Sequence, residues 1–201
     1  MYCIPNDYII NPVIHMMQNE RQSLEFQTEV YRYAFLLSKK YRLESILDVG
    51  CGRAKKLEEY ILPITSDITG IDCEDTIKRV SKEVSFGNWI AKEITKDTSI
   101  IKKDFDLIIV SDVIEHFEYP EYLLDYVKKQ SHCSTYILFS TPDRRSLNNE
   151  LGPPNNKKHV REWLFNEFVE FLESFEFNII DSRLVPNDHK YNTIICLCKI
   201  K

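Results

Sequence analysis

The stretch Ile46-Leu47-Asp48-Val49-Gly50-Cys51-Gly52-Arg53 carries the chain's most informative chemistry. An apolar run ends in an acid and two closely spaced glycines. Such a turn, at the carboxyl end of a buried strand, brings the backbone close to a ligand with no Cβ in the way. A lone G-x-G also describes an ordinary tight turn, so two further features matter. The third glycine of the dinucleotide fingerprint is absent, because Gly52 is followed by Arg53, Ala54 and Lys55. Asp48 also stands where a pyrophosphate site would keep an apolar residue. A carboxylate there suits a ligand with an amino group and a cationic centre better than a phosphate dianion. About twenty residues on, Ile68-Thr69-Gly70-Ile71-Asp72 ends a second apolar run in an acid, which suits hydrogen bonds from two ribose hydroxyls.

Two more clusters carry reactive groups. Asp112, Glu115 and His116 stand three and four apart, so a helix beginning at Asp112 would put them on one face. They read as a capped helix start, with Ser111 or Asp112 as the cap and Glu115 in the first turn. The second cluster runs from Gly152-Pro153-Pro154-Asn155 to His159-Val160-Arg161-Glu162-Trp163 and closes a polar, aperiodic stretch over 141–161. A loop that long in a compact domain is commonly functional. Histidine titrates near neutrality, which makes His159 the favoured general base, with His116 to orient or replace it. Arg161 and Trp163 are candidates to fix the loop or to stack on an acceptor, and packing is an equal reading for Trp163.

The elements that position these residues follow from periodicity. Strand-length apolar runs cover 45–49, 67–71, 89–94, 106–110 and 135–140, separated by helical segments such as 121–129. Strands covered by helices on both faces form a mostly parallel sheet. Runs over 177–185 and 191–200, joined by Pro186-Asn187-Asp188, predict an antiparallel hairpin at one sheet edge. Phe26, Val30, Ala34 and Leu37 share a helical face, as do Leu164, Phe168, Phe171, Leu172 and Phe175. At 201 residues the chain fits one domain. It divides into an N-terminal helical cap (1–44), a cofactor-binding half (45–140), and a substrate loop, helix and closing hairpin (141–201).

Bulk properties narrow the partners. A net charge of −5 gives no basic field for a phosphate backbone, so nucleic acid is not expected. Cys3, Cys51, Cys73, Cys133, Cys196 and Cys198 form no C-x-x-C pair, which suggests free thiols in a reducing compartment. No apolar run reaches membrane-spanning length and no signal peptide is evident, so a cytoplasmic location is expected.

In order and spacing, Leu47-Asp48-Val49-Gly50-Cys51-Gly52, Gly70-Ile71-Asp72, Phe105-Asp106-Leu107-Ile108 and Asp112-Val113-Ile114-Glu115-His116-Phe117 resemble the class I S-adenosylmethionine-dependent methyltransferases. The resemblance implies a Rossmann-like α/β sandwich and S-adenosylmethionine as cofactor. It also implies that Asp48, Gly50, Cys51 and Gly52 line the methionine end and that Asp72 and Cys73 hold the ribose. Ser111 would border the same ligand, and Glu93, with Asp97 second, would meet the adenine amine. The Asp112–His116 segment is similar to methyltransferases related to quinone-biosynthesis enzymes, some of which bind a divalent metal; that likeness implies Asp112, Glu115 and His116 as ligands, a less favoured reading because such a trio suits a magnesium-like ion only modestly. The segment 140–163 is similar to methyltransferases encoded among surface-polysaccharide and glycosyltransferase genes. That likeness implies O-methylation of a sugar, for example a deoxyhexose such as rhamnose in a glycan or its precursor, and association with or fusion to glycosyltransferases. A phenolic or quinone-like acceptor, or a catalytically silent cofactor-binding subunit, remain alternatives. A nicotinamide oxidoreductase is disfavoured by Asp48 and the absent third glycine.

Overall fold

The computed structural model describes residues 2–13, 27–147, 150–187 and 191–201. Seven strands form one sheet: β1 (Ile46–Val49), β2 (Ile68–Asp72), β3 (Asn88–Ala91), β4 (Leu107–Ser111), β5 (Tyr136–Pro142), β6 (Phe177–Pro186) and β7 (Asn192–Ile200). Their order is β3-β2-β1-β4-β5-β7-β6. The first five are parallel, and β7 runs antiparallel between β5 and β6. The expected mixed sheet with its antiparallel C-terminal pair is therefore present. Asp188, in the turn expected between the last two strands, lies outside the described residues.

Alternation along the strands explains the layers. On β4, Leu107 and Ile109 face one side while Ile108 and Val110 face the other, and all four are fully buried. The first side packs against helix α1 (Thr28–Tyr41) through Val30, Tyr31, Ala34 and Leu37, and against α2 (Glu74–Glu83) through Ile77 and Val80. The second packs against α3 (Pro120–Gln130) and α4 (Phe165–Ser174), whose Leu123, Leu124, Val127, Phe168, Phe171 and Leu172 are all buried. Cys196 and Cys198 fill core positions on β7, and all six cysteines are free thiols.

Within the N-terminal region expected as a helical cap, α1 is the helix among the described residues. Residues 2–13 form no helix; they run as a strap across the 150–163 segment. Ile9 N–H donates to the Leu151 carbonyl (2.8 Å) and Asn11 N–H to the Val160 carbonyl (2.9 Å). The buried Asn11 amide spans the carbonyls of Pro154, Asn156 and His159 at 2.8–3.2 Å. A Cβ on Gly152 would lie 2.1 Å from the Ile9 carbonyl oxygen, so the strap requires glycine there. Phe26 lies outside the described residues. The long loop also contains a 3₁₀ turn, Arg144–Leu147, and Asp143 bridges to Trp163.

Candidate active site

A cavity of about 830 Å³ opens at the carboxyl edge of β1, β2 and β4, within the range for small-molecule sites. The turn after β1 forms its floor. Gly50 has φ +78°, and a Cβ there would lie 2.5 Å from Val113 Cγ2, so both space and backbone favour glycine. The Gly50 and Cys51 amides both donate to the Ile71 carbonyl, pinning the turn to β2.

Asp48 is fully buried and lines this cavity. Its Oδ2 accepts from the Tyr31 hydroxyl at 2.9 Å, while its buried Oδ1 has no partner among the described residues. Burial pushes its carboxyl up to about 7, which the Tyr31 hydrogen bond only partly opposes. An orphaned carboxylate oxygen on a cavity wall calls for a donor such as an ammonium group. Lys56, on the same wall, has its pKa lowered by burial, opposed by Asp112 and Asp48. It is the complementary cation for a ligand carboxylate. One wall thus offers both halves of an amino-acid recognition site, and S-adenosylmethionine fits it.

Asp72 ends β2 with its carboxylate accepting from Gly52 N–H (2.9 Å) and Cys73 N–H (2.7 Å). Gly52 therefore acts by holding Asp72 and is absent from the cavity lining, whereas Cys51, Asp72 and Cys73 are on it. Glu93 lines the far end and pairs with Lys96. Asp97 instead pairs with Lys92 and does not reach the lining. Strand β3 ends at Ala91, earlier than expected, because Ile94 turns into the core beyond it. Ser111 lines the cavity, bonded to Ser140 Oγ at 3.0 Å.

Asp112, Glu115 and His116 do not share a helical face. Asp112 has φ +52°, in the left-handed region, and the 3₁₀ turn covers only Ile114–His116. Asp112 therefore faces the cavity and accepts from Ser140 Oγ (2.7 Å), while Glu115 points inward and accepts from Thr141 Oγ1 (3.2 Å). The fold assembles a different trio: ligand-capable atoms of Glu115, His116 and His159 lie within 4.8 Å of one another. As folded, this set does not fit a divalent ion. His159 has Nδ1 engaged by Glu162 Oε1 at 2.6 Å and Nε2 by the Asn156 amide at 2.8 Å. Glu115 is fully buried and already accepts from Thr141, and burial with Asp112 close by raises its pKa above the ordinary carboxylate value.

The two histidines exchange their expected places. His116 lines the cavity, and its Nδ1 meets the Lys158 carbonyl at 2.9 Å, which leaves Nε2 as the lone-pair nitrogen. Burial, helped by repulsion from His159, lowers its pKa to about 4. His159 stands behind it off the lining, its ring edge-on to His116 at 4.9 Å. Nor do Arg161 and Trp163 reach the cavity. Trp163 is fully buried, stacked on Phe171 at 5.5 Å, with Nε1 donating to the Tyr2 carbonyl. Arg161 donates to the Phe117 and Glu118 carbonyls and covers the Tyr2 ring. Direct stacking of Trp163 on an acceptor is incompatible with that position.

The cavity also uses residues that periodicity hid. Gln27, Tyr31, Phe117, Tyr119 and Tyr122, none of which the sequence singled out as a site residue, also line the site.

A family model described as a methyltransferase domain matches residues 21–182. Among solved structures, the chain is similar to an S-adenosylmethionine-dependent methyltransferase from Clostridium acetobutylicum ATCC 824 (TM-score 0.65, 14% identity, 89% of this chain and 93% of that one). It is similar to the N-methyltransferase NodS from Bradyrhizobium japonicum WM9 in complex with S-adenosyl-L-homocysteine (TM-score 0.65, 17% identity, 88% and 89%). It is also similar to the [4+2]-cyclase SpnF (TM-score 0.68, 13% identity, 98% and 88%), so the shared fold does not by itself define a reaction. No curated protein matches the chain by sequence. The family match spans most of the chain and includes every residue on the floor of the cavity, so the chain belongs to the methyltransferase-domain family and is an S-adenosylmethionine-dependent methyltransferase.

Proposed function

We propose that this methyltransferase acts on a sugar hydroxyl, such as that of a deoxyhexose in a glycan or glycan precursor, alongside glycosyltransferases. The observation that carries the reading is His116, which lines the cofactor cavity with Nδ1 tied to the Lys158 carbonyl and Nε2 left as the lone-pair nitrogen; its lowered pKa makes it a weak base that takes the proton only as the O–CH3 bond forms. A sugar hydroxyl is a poor nucleophile at neutral pH, and a base within hydrogen-bond reach of its proton assists attack. The bound cofactor supplies a methyl group already activated on a sulfonium. The chain's residues then hold the acceptor oxygen in line, about 3 Å from that carbon. His116 Nε2 accepts the hydroxyl proton, the Lys158 carbonyl fixes the ring's tautomer, and the His159–Glu162 pair buttresses it from behind. Asp112 and Glu118, on the same wall, offer carboxylates to neighbouring hydroxyls.

A second reading has its own observation. Phe117, Tyr119 and Tyr122 line the outer cavity, and a small phenol could stack on them. Labelled cofactor offered to a panel of sugars, glycosides and phenols separates the two. Label on a sugar oxygen supports the proposal, and label on phenols with every sugar silent replaces it.

A further inference from the structure

Arg161 is 2% exposed, and its two guanidinium hydrogen bonds among the described residues go to backbone carbonyls. Burying a guanidinium is costly unless its protons are satisfied. Nη1 donates to the Phe117 carbonyl at 3.1 Å and Nη2 to the Glu118 carbonyl at 2.7 Å, the Tyr2 ring lies 4.2 Å away, and the buried Nε has no hydrogen-bond partner among the described residues. An apolar side chain would fill the same space without the desolvation penalty, so the two carbonyl bonds are what the charge adds. They join adjacent peptides with one rigid, planar fork, which a lysine cannot do.

Those two peptides belong to the wall of the cavity. His116, Phe117, Glu118, Tyr119 and Tyr122 all line it, on a stretch that runs from the end of the 3₁₀ turn into the first turn of α3. Tyr119 and Tyr122 are 47% and 44% exposed, with ring centroids 6.0 Å apart at 70°. They form an aromatic corner with a carboxylate beside it. A pyranose ring presents an apolar C–H face to an aromatic ring and hydroxyls to a carboxylate. The geometry points to an acceptor subsite in which the Phe117–Tyr122 wall receives the sugar ring and Arg161 is the positioning residue that sets this wall relative to His116. The inference rests on the sugar-hydroxyl reading and adds to it the residues that select the ring.

The test measures acceptor KM, kcat and S-adenosylhomocysteine affinity for Tyr119→Ala, Tyr122→Ala, Arg161→Lys and the double variant Arg161→Lys/Tyr122→Ala. Each exposed tyrosine's loss raises the sugar KM about tenfold, with cofactor affinity unchanged. Arg161→Lys raises the same KM, and combining it with Tyr122→Ala adds less than the product of the single effects, because both act through one wall. An unchanged sugar KM in both tyrosine variants overturns the subsite. An Arg161→Lys variant that lowers only the melting temperature overturns the positioning role, even if the tyrosines matter. A phenol as sole acceptor overturns the sugar reading itself. The same variants then read on that phenol, where an unchanged KM also removes the wall as its binding site.

Discussion

Replacing Asp48 by asparagine separates what this residue does for the cofactor from what it costs the fold. Asp48 sits fully buried with its carboxyl pushed up to about 7 by desolvation, against an ordinary value of 3.8. A group whose folded pKa is raised contributes stability below its unfolded pKa and loses it as pH rises through the folded value. Three pKa units correspond to about 4 kcal/mol, so the cofactor-free protein should lose stability of that order between about pH 4 and pH 8. The cofactor's ammonium group favours the ionised carboxylate. With a pKa of about 7, the ionised fraction rises about tenfold from pH 6 to pH 8, and cofactor affinity should tighten by the same factor. The amide oxygen of an asparagine at this position still accepts from Tyr31 but carries no charge. The Asp48→Asn variant should bind the cofactor more weakly at pH 8, with a flat pH dependence, and unfold at higher temperature than the cofactor-free wild type. Calorimetric titrations at several pH values and thermal melts without ligand measure both effects. Wild-type affinity that does not change across pH 6–8, or a variant less stable at pH 8, would refute the reasoning.

Other consequences can be checked with similar means. His116→Asn should lower kcat by about 10²-fold or more while leaving cofactor affinity near wild type, as expected for loss of a general base. Trp163→Ala should cost about 3–5 kcal/mol in thermal or urea unfolding, because the ring is fully buried on Phe168 and Phe171. Treatment with a chelator should leave turnover unchanged, since both ring nitrogens of His159 and Nδ1 of His116 are engaged by hydrogen bonds and Glu115 accepts from Thr141.

The first half of the molecule could be read because its signals are local. Buried parallel strands must be apolar runs, and each of β1 and β2 ends in an acid within a residue or two of its turn, so Asp48 and Asp72 announce themselves. The 141–163 segment could not be read this way. It looks polar, yet Arg144, His159, Arg161 and Glu162 are buried, with hydrogen bonds to backbone carbonyls, to one another, or to the strap. Trp163 finds its hydrogen-bond partner at Tyr2, 161 residues away in sequence. No periodicity reports such contacts, and this is why Trp163 and Arg161 looked like binding residues. The backward placement of His159 has the same origin: its Glu162 partner is local, but the Asn11 clamp that turns it inward comes from the other end of the chain. The helical reading of Asp112 fails for a different reason, since a left-handed residue before a single 3₁₀ turn breaks the spacing that a regular helix would impose.

Calorimetry of the purified chain with S-adenosylhomocysteine, beside a pyridine dinucleotide as control, puts the shape of the β1 turn to the most direct trial. The account predicts saturable, single-site heat from the sulfur nucleoside, lost in Asp48→Ala, and none from the dinucleotide. Heat from the dinucleotide alone would contradict it.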